Sequence, residues 1–204
     1  FNLKYVYDRD ETLAKKSERM FKAKSIKNYK TALLDKSVGV IFIASSTPTH
    51  INFIRDAALY KKTIFCEKPL DLDLNKIIKC RKYIEKFSPR VQIGFNRRYD
   101  PGHYYLKKSI EQKKIGTLQK IIITCRDPAP PPLAYLKTAG GIFKDMIIHD
   151  FDLIRFYLKN DPIKEVFATT SDLSEYSKLF KKVKDFELAT VVLKSQKGVL
   201  CTIN

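Results

Sequence analysis

The segment 65–69 (FCEKP) places a charged pair at the end of an apolar run. Burying a charge at the end of a strand costs free energy unless the charge is paired or used. A partly desolvated lysine such as Lys68 can exchange a proton or polarise a substrate oxygen. The sequence therefore makes Lys68 a candidate catalytic residue, and a strand-end ion pair with Glu67 is the structural alternative.

The segment 140–152 (GGIFKDMIIHDFD) contains Asp145 and His149, four positions apart. On a continuous helix this spacing places both side chains on one face. A carboxylate beside an imidazole fixes its tautomer and raises its basicity, as a general base requires. The alternative is a helix cap together with a buried histidine bonded to backbone. The chain has only 3 histidines and no second one near His149, so we predict no metal site.

Two further segments have the residue types that a nucleotide cofactor needs. Asp8 follows the apolar run 3–7, and an acid at the tip of a parallel strand can accept hydrogen bonds from ribose hydroxyls. The segment 44–50 (ASSTPTH) joins small residues to the start of a helix, whose free N–H groups attract anions. A helix cap or solvated turn, and an ordinary strand-to-helix turn, are the respective alternatives. An acid such as Asp8 repels a 2′-phosphate, so NAD is preferred, but Arg9 could accept that phosphate, so NADP stays open.

The first half of the chain alternates predicted strands and helices. The run 38–44 is nearly continuous in β-branched residues, which predicts a strand buried on both faces. Asp10 is placed to cap the first helix. The predicted strands are 3–7, 38–44, 63–66 and 91–95, and the predicted helices are 12–20, 50–61 and 73–87. This alternation is typical of an α/β fold with a doubly wound parallel sheet.

The second half is richer in strands. Proline at positions 128 and 130–132 excludes helix and central strand over 127–132. Gly198 lies in a predicted hairpin turn at 195–198. The predicted helices are 101–115, ended by Gly116, and 143–158, and the predicted strands are 118–125, 163–170, 186–194 and 199–203. We expect a Rossmann-like domain over 1–96 and an α+β domain with an open, mainly antiparallel sheet over 97–204.

Taken together, the motifs FCEKPL, VIFIASSTPTH, GFNRRYDP and GGIFKDMIIHDFD resemble the Gfo/Idh/MocA family of NAD(P)-dependent sugar and polyol dehydrogenases. The segment CRDPAPPP followed by GGIFKDMIIHDFDLIRF is most similar to the inositol 2-dehydrogenase branch of that family. The resemblance runs in order over nearly the whole chain. It implies NAD(P)-dependent oxidation of a cyclic polyol, such as myo-inositol, at a ring hydroxyl. A glucose or other sugar dehydrogenase of the same family is the alternative.

The resemblance and the motifs also assign residues to roles. Lys68 matches the family's catalytic lysine, and Asp145 and His149 match its catalytic pair. The expected cofactor contacts are Asp8, Arg9, Ser45, Thr47, Pro48, His50, Glu67, Lys68, Asn96 and Arg97. The expected substrate contacts are Arg97, Asp127, Asp145 and His149. The family also implies a homo-oligomer, either a dimer or a tetramer.

The charge and composition limit the other function classes. Lys+Arg total 39 against Asp+Glu 22, giving +17, but only 9 of these cations are Arg. Nucleic-acid readers favour Arg, so we expect no nucleic-acid partner; a basic module for nucleic acid or an acidic protein is the alternative from another class. There is no apolar run of membrane length and no signal peptide. Widely spaced cysteines without a C-x-x-C motif favour the cytoplasm.

The glycine pattern of a dinucleotide-binding turn, G-x-G-x-x-G, is absent from the sequence. The first predicted strand ends in an acid, which is typical of the second strand of that fold. We therefore expect the chain to be an internal piece of a longer enzyme, without the first βα unit and with a truncated second domain. We expect such a piece to bind NAD poorly and to fold marginally.

Overall fold

The computed structural model describes residues 2–204, and the chain divides into two compact units, Phe1–Gly94 and Phe95–Asn204. The first unit alternates strands with helices, as its sequence predicts. Its elements are β1 (Tyr5–Val6), α1 (Glu11–Phe21), β2 (Lys24–Ser25), α2 (Lys30–Leu34), β3 (Val40–Ile43), α3 (Thr47–Leu59), β4 (Thr63–Cys66), α4 (Leu74–Glu85) and β5 (Val91–Ile93).

Every strand pairing in the first unit is parallel. The strands form a sheet of order β3-β4-β5 and a separate two-stranded sheet of β1 and β2. The parallel Rossmann-like fold is therefore confirmed, although β2 is too short and too polar for its sequence to predict it. A core that includes Ile43, Ile54 and Ile64 holds α3 against β3 and β4.

The burial of β3 differs from the prediction. Val40 is 46% exposed and Phe42 is 62% exposed, so one face of the strand is open. The reason is that β3 is at the edge of its sheet and pairs only with β4 among the described residues. Phe42 instead stacks on Phe65 with ring centroids 4.4 Å apart.

Aspartate caps fix the starts of two helices in this unit. The Asp10 side chain accepts hydrogen bonds from the backbone N–H groups of Thr12 and Leu13, as predicted. Asp73 caps α4 in the same way through Asn75. Each cap satisfies backbone donors that have no partner inside the helix.

The second unit begins with a short 3-10 helix, Asn96–Tyr99. The other elements are α5 (Pro101–Glu111), β6 (Lys120–Ile123), α6 (Leu133–Ala139), α7 (Gly141–Asp145), α8 (Ile148–Leu158), β7 (Ile163–Ser171), α9 (Ser177–Lys182), β8 (Leu188–Ser195) and β9 (Leu200–Ile203). In neither unit is any helix of the described residues long and apolar enough to cross a membrane.

These strands form one mixed sheet of order β6-β9-β8-β7. β8 runs antiparallel to both of its neighbours, and β6 runs parallel to β9, so the expected open and mainly antiparallel sheet is confirmed. The predicted hairpin turn joins β8 to β9, with Gly198 at φ 94° and its N–H donating to Ser195. Leu153 and Ile154 of α8 pack in the core with Val191 and Ile203 of the sheet.

The predicted helix 143–158 is two helices. α7 ends at Asp145 and α8 begins at Ile148, because the N–H of Ile147 donates to the Ile142 carbonyl, five residues back, and so leaves the α-helical register. The start of α7 is fixed by Asp185, whose carboxylate accepts from the N–H of Ile142 at 3.0 Å. Asp145 and His149 therefore do not lie on one continuous helix.

Candidate functional site

Lys68 lies in the loop that follows β4. The N–H of Glu67 donates to the Ile43 carbonyl at 2.9 Å, so this loop leaves the sheet beside the end of β3. The Glu67 carboxylate lies against the backbone of Gly94, where a Cβ would be only 2.7 Å from Glu67 Oε2. The glycine after β5 thus makes room for the acid next to Lys68. Lys68 itself is half-buried, and the Lys68–Pro69 peptide bond is cis.

The segment 44–50 follows β3 at the same edge of the sheet. The hydroxyls of Ser45 and Thr49 are 2.6 Å apart, and the Thr49 hydroxyl donates to the Ser46 carbonyl at 2.7 Å. Ser45 and Pro48 are exposed, and Thr47, the first residue of α3, is half-buried. Ligands of open parallel sheets bind at the carboxyl ends of the strands, which is where these residues lie.

His50 has a different place from the one that its motif suggested. The side chain is only 1% exposed. Nδ1 is 2.8 Å from the Pro69 carbonyl oxygen and Nε2 is 2.8 Å from the Ser45 carbonyl oxygen. Because both ring nitrogens face backbone carbonyls inside the first unit, we no longer expect this side chain to contact a cofactor.

Asp8 is exposed and lies just beyond the carboxyl end of β1, followed by the exposed Arg9. Its Oδ1 accepts a hydrogen bond from the N–H of Asp10 at 2.8 Å. Asp10, not Asp8, caps α1, so the helix-cap alternative for Asp8 fails. The Asp8 carboxylate therefore lies in an exposed turn just beyond β1, as the solvated-turn alternative predicts.

Asp145 and His149 lie on either side of the break between α7 and α8. The hydroxyl of Tyr135 donates to Asp145 Oδ2 at 2.7 Å. Burial, and secondly this hydrogen bond, raise the pKa of Tyr135 to about 12, so the phenol stays a donor to the carboxylate. His149 is half-buried, with its ring edge-on to Phe95 at 6.4 Å between centroids.

Two ion pairs join the 3-10 helix to the first turns of α8. Arg97 Nη1 lies 2.5 Å from Oδ1 of Asp150, a residue with 0% exposure, and Arg98 contacts both carboxylate oxygens of Asp152 at 2.5 and 2.7 Å. Arg97 also donates to the Cys125 sulfur at 3.5 Å. The sequence reasoning missed these two acids. Their signal was the consecutive arginines of GFNRRYDP together with the alternating acids of HDFD, but nothing local pairs those segments.

The ion pair between Arg97 and Asp150 satisfies only one of the two carboxylate oxygens of Asp150. Oδ2 of Asp150 is buried and has no hydrogen-bond partner among the described residues. Burial raises the pKa of this carboxyl, while the attraction of Arg97 opposes the rise. The Arg97 guanidinium is therefore engaged inside the second unit, on the residue next to His149.

A cavity of about 880 Å³ in the second unit contains some of the expected ligand residues and not others. Asn96 and Arg97 line it together with His103, Cys125 and Arg126. Asp145 and His149 are not part of its lining, and neither is Asp127, which is exposed in the proline-rich segment without regular structure. Within residues 2–204 no group of His, Cys, Asp or Glu side chains could hold a metal ion.

Comparison with protein-family models matches both units. Residues 1–95 match the oxidoreductase family with the NAD-binding Rossmann fold, and residues 103–204 match the Gfo/Idh/MocA C-terminal domain. The two matches together leave only residues 96–102 uncovered.

Individual relatives point the same way. The chain is 38% identical over 161 residues to an inositol 2-dehydrogenase of Rhizobium meliloti, covering 79% of this chain and 48% of the relative. It is 38% identical over 196 residues to a myo-inositol 2-dehydrogenase of Thermotoga maritima, covering 96% and 58%. A crystal structure of a myo-inositol dehydrogenase from Corynebacterium glutamicum superposes with a TM-score of 0.92 at 32% identity, covering 99% of this chain and 60% of the other. The chain thus spans about half to three fifths of these relatives.

Proposed function

Because the chain belongs to the Gfo/Idh/MocA family of oxidoreductases, we propose that the protein oxidises a cyclic polyol, with myo-inositol as the first candidate, at a ring hydroxyl with NAD(P) as the oxidant. One observation carries this proposal: the relative from Thermotoga maritima, a myo-inositol 2-dehydrogenase, matches 96% of the chain at 38% identity, through both units. Lys68, Asp145 and His149 all lie inside the segments that the two family models match.

The residues of the first unit fit a dinucleotide. Asp8 holds an exposed carboxylate after β1, and small exposed residues follow β3, where the protein backbone can approach a cofactor. We assign the ribose to Asp8 and Arg9, and the next part of the cofactor to Ser45, Thr47 and Pro48. NAD is favoured because Asp8 would repel a 2′-phosphate. The sequence offers no glycine-rich turn for the pyrophosphate, so no residue is assigned to it.

The nicotinamide side is assigned to Glu67, Lys68, Asn96 and Arg97. When bound, NAD supplies the hydride acceptor, which no side chain can provide. Glu67 is held against Gly94, which supports a fixed position for the adjacent Lys68. The internal pairing of Arg97 with Asp150 supports a role for Arg97 as an anchor of this segment as much as a direct contact.

We assign the removal of the alcohol proton to residues of the second unit. We propose that His149 takes it as general base and that Asp145 orients the imidazole. The hydrogen bond from Tyr135 supports this, because it fixes the Asp145 carboxylate. Lys68 meets the negative charge that develops on the alcohol oxygen. Asp127 and Arg97 are proposed to recognise the remaining hydroxyls, since a wrong isomer would leave such groups without a hydrogen-bond partner in the complex.

A homo-oligomer is proposed from the open sheet of the second unit. Ile122, Thr202, Val192 and Phe167 lie opposite one another across all four strands and so share one face. Three of these side chains are apolar and exposed. An exposed apolar row of this kind marks an interaction surface, and sedimentation of the protein with Phe167→Lys as the comparison would test it.

A reducing, cytoplasmic location is also proposed. All four cysteines are free in the described chain, although three of them are buried. Unpaired cysteines are typical of compartments that keep thiols reduced. Free-thiol titration of the protein purified without reductant would test this, and a substantial fraction of disulfide would contradict it.

The reaction itself is tested by following NADH absorbance. The complete protein to which this chain belongs is supplied with NAD⁺ and with myo-inositol, scyllo-inositol or glucose in separate assays. We expect an inositol to support NADH formation at a higher kcat/KM than glucose. A preference for glucose would assign a sugar dehydrogenase of the same family, and no reduction with any cyclic polyol would overturn the proposal.

A further inference from the structure

The His50 ring contacts two different loops, and its position in the sequence did not predict this connection. It lies in the first turn of α3, and its ring is buried between the Ser45 carbonyl after β3 and the Pro69 carbonyl after β4. The two carbonyls are 24 residues apart in the chain, as 69 − 45 shows. Ser45 belongs to the loop assigned to the cofactor, and Pro69 is the residue next to Lys68.

The two ring nitrogens of a neutral His50 differ, because only one of them carries a hydrogen. A backbone carbonyl only accepts hydrogen bonds, whereas a neutral imidazole has a single N–H. A neutral ring therefore donates to either Ser45 or Pro69, and only a doubly protonated ring donates to both. Since both distances are 2.8 Å, each nitrogen is within hydrogen-bonding distance of its carbonyl.

Other contacts near His50 lie within one loop or join the strands. The hydroxyls of Ser45 and Thr49 contact each other, and the Thr49 hydroxyl donates to the Ser46 carbonyl, all within the loop after β3 and its helix. The backbone bond from Glu67 to Ile43 joins the two strands before their loops diverge. Beyond that point the imidazole contacts both loops.

We propose that His50 is a positioning residue that fixes the Lys68 loop relative to the cofactor loop. This role rests on the proposed function, because it matters for catalysis only if Lys68 acts on the substrate. The connection through Pro69 restrains the backbone next to Lys68, and the connection through Ser45 restrains the loop assigned to the cofactor. Each half of the bridge should then affect a different kinetic constant.

Amide substitutions can separate the two halves. In His50→Asn the side-chain amide nitrogen takes the place of Nδ1 and keeps the bond to Pro69. In His50→Gln it takes the place of Nε2 and keeps the bond to Ser45. His50→Ala removes both contacts.

We expect His50→Gln to lower kcat for polyol oxidation by roughly 10- to 100-fold, since misplacing a reacting group by about 1 Å has effects of that order. We expect His50→Asn to keep most of kcat and to raise the KM for NAD⁺ instead. His50→Ala should show both defects. A merely structural role would instead impair kcat in all three variants in proportion to their loss of thermal stability, without separating kcat from the KM for NAD⁺, and that result would overturn the proposal.

Amide hydrogen exchange provides a readout that does not depend on activity. Loss of the bridge in His50→Ala should speed exchange in peptides covering both 44–49 and 67–72, whereas Asn should protect mainly the second and Gln mainly the first. His103→Ala is the matched control for His50→Ala, because it removes a ring contact to Tyr157 in the other unit. Unchanged exchange in both loops of His50→Ala would refute the bridge. If wild-type protein shows the bridge by exchange but oxidises no polyol, the proposed function fails and the bridge stands.

Discussion

The loop that carries Lys68 and the segment that carries His149 are held by different kinds of contact. Backbone hydrogen bonds, a carboxylate packed on Gly94 and the His50 ring hold the first. Two arginine–carboxylate ion pairs, one with a fully buried acid, hold the second. A neutral hydrogen bond contributes about 0.5–1.5 kcal/mol net, whereas breaking a buried ion pair costs about 3–5 kcal/mol.

Because of this difference, substitutions in the two regions should affect kinetics and stability to different degrees. We expect that the hydrogen bonds of the His50 ring can be altered without unfolding the first unit, so variants there should change kinetics more than stability. The acids that follow His149 belong to the core of the second unit, so variants there should change both. The two proposed halves of the active site should therefore respond differently to substitution, pH and denaturant.

The largest effect is expected at the proposed base itself. His149→Ala should lower kcat by roughly 10²–10⁴-fold, the usual contribution of positioned proton transfer, with the KM for NAD⁺ little changed. Steady-state kinetics with saturating polyol measures it. Arg155→Ala is the control, because Arg155 is an exposed residue of the same helix. A His149→Ala variant that retains most of its activity would remove the second unit from the chemistry.

Loss of an ion pair is expected to have the next largest effect. Arg97→Ala leaves the buried Asp150 without its cation, which should lower the free energy of unfolding by about 3 kcal/mol. Burial already raises the pKa of Asp150, and loss of Arg97 raises it further, so the penalty should shrink as the pH falls and the carboxyl takes up a proton. Urea unfolding across pH measures this, with Arg155→Ala as control. A penalty that grows on acidification would contradict the ion-pair account.

A smaller effect is expected at Gly94. In Gly94→Ala the new Cβ would come within 2.7 Å of Glu67 Oε2, so the Glu67 side chain must move. Because that carboxylate ends a flexible chain, stability should fall by less than about 1 kcal/mol, well below the usual penalty for overpacking, while the KM for NAD⁺ rises several-fold. Gly39→Ala is the matched control, since nothing lies within 4 Å of its Cβ. Equal kinetics in the two variants would show that the position of Glu67 does not matter.

The smallest effect is expected on the pH dependence of stability at Asp35, in the first unit. Hydrogen bonds from Lys4, Ser37 and Tyr5 hold the pKa of Asp35 well below its ordinary value of 3.8. A depressed folded pKa means that the stabilisation is fully present above that ordinary value and is lost progressively as the pH falls below it and through the folded pKa.

The measurement compares urea unfolding of wild type and Asp35→Asn as the pH is lowered. The difference in stability between them should shrink below pH 3.8, because asparagine does not titrate in this range. A difference that stays constant on acidification would mean that Asp35 is not stabilised by these bonds.

Local signals in the sequence determine much of the fold. The strand 63–66 is predicted with its observed bounds because it is an apolar run between turn residues. The Asp10 cap and the hairpin at 195–198 follow from residue types that act within a few positions. Positions decided by distant partners were not predictable in the same way, and the exposure of Phe42 at a sheet edge is one example.

The site shows the same limit. The motifs identified Lys68, Asp145 and His149 as candidates, but the partner of His50 is 19 residues away and that of Asp150 is 53 residues away. The break between α7 and α8 arises from one backbone bond, from Ile147 to Ile142, which the apolar periodicity of 143–158 does not reveal. Residue type indicates which side chains can do chemistry, whereas packing decides which of them are used internally.

The most direct test of the proposed function follows one hydrogen atom. The protein is incubated with NAD⁺ and myo-inositol that carries deuterium on each carbinol carbon, and the NADH formed is analysed by mass spectrometry. The account predicts NADH that carries one deuterium, formed more slowly than NADH from unlabelled substrate if hydride transfer limits the rate. NADH without deuterium, or no NADH although NAD⁺ is bound, would contradict it.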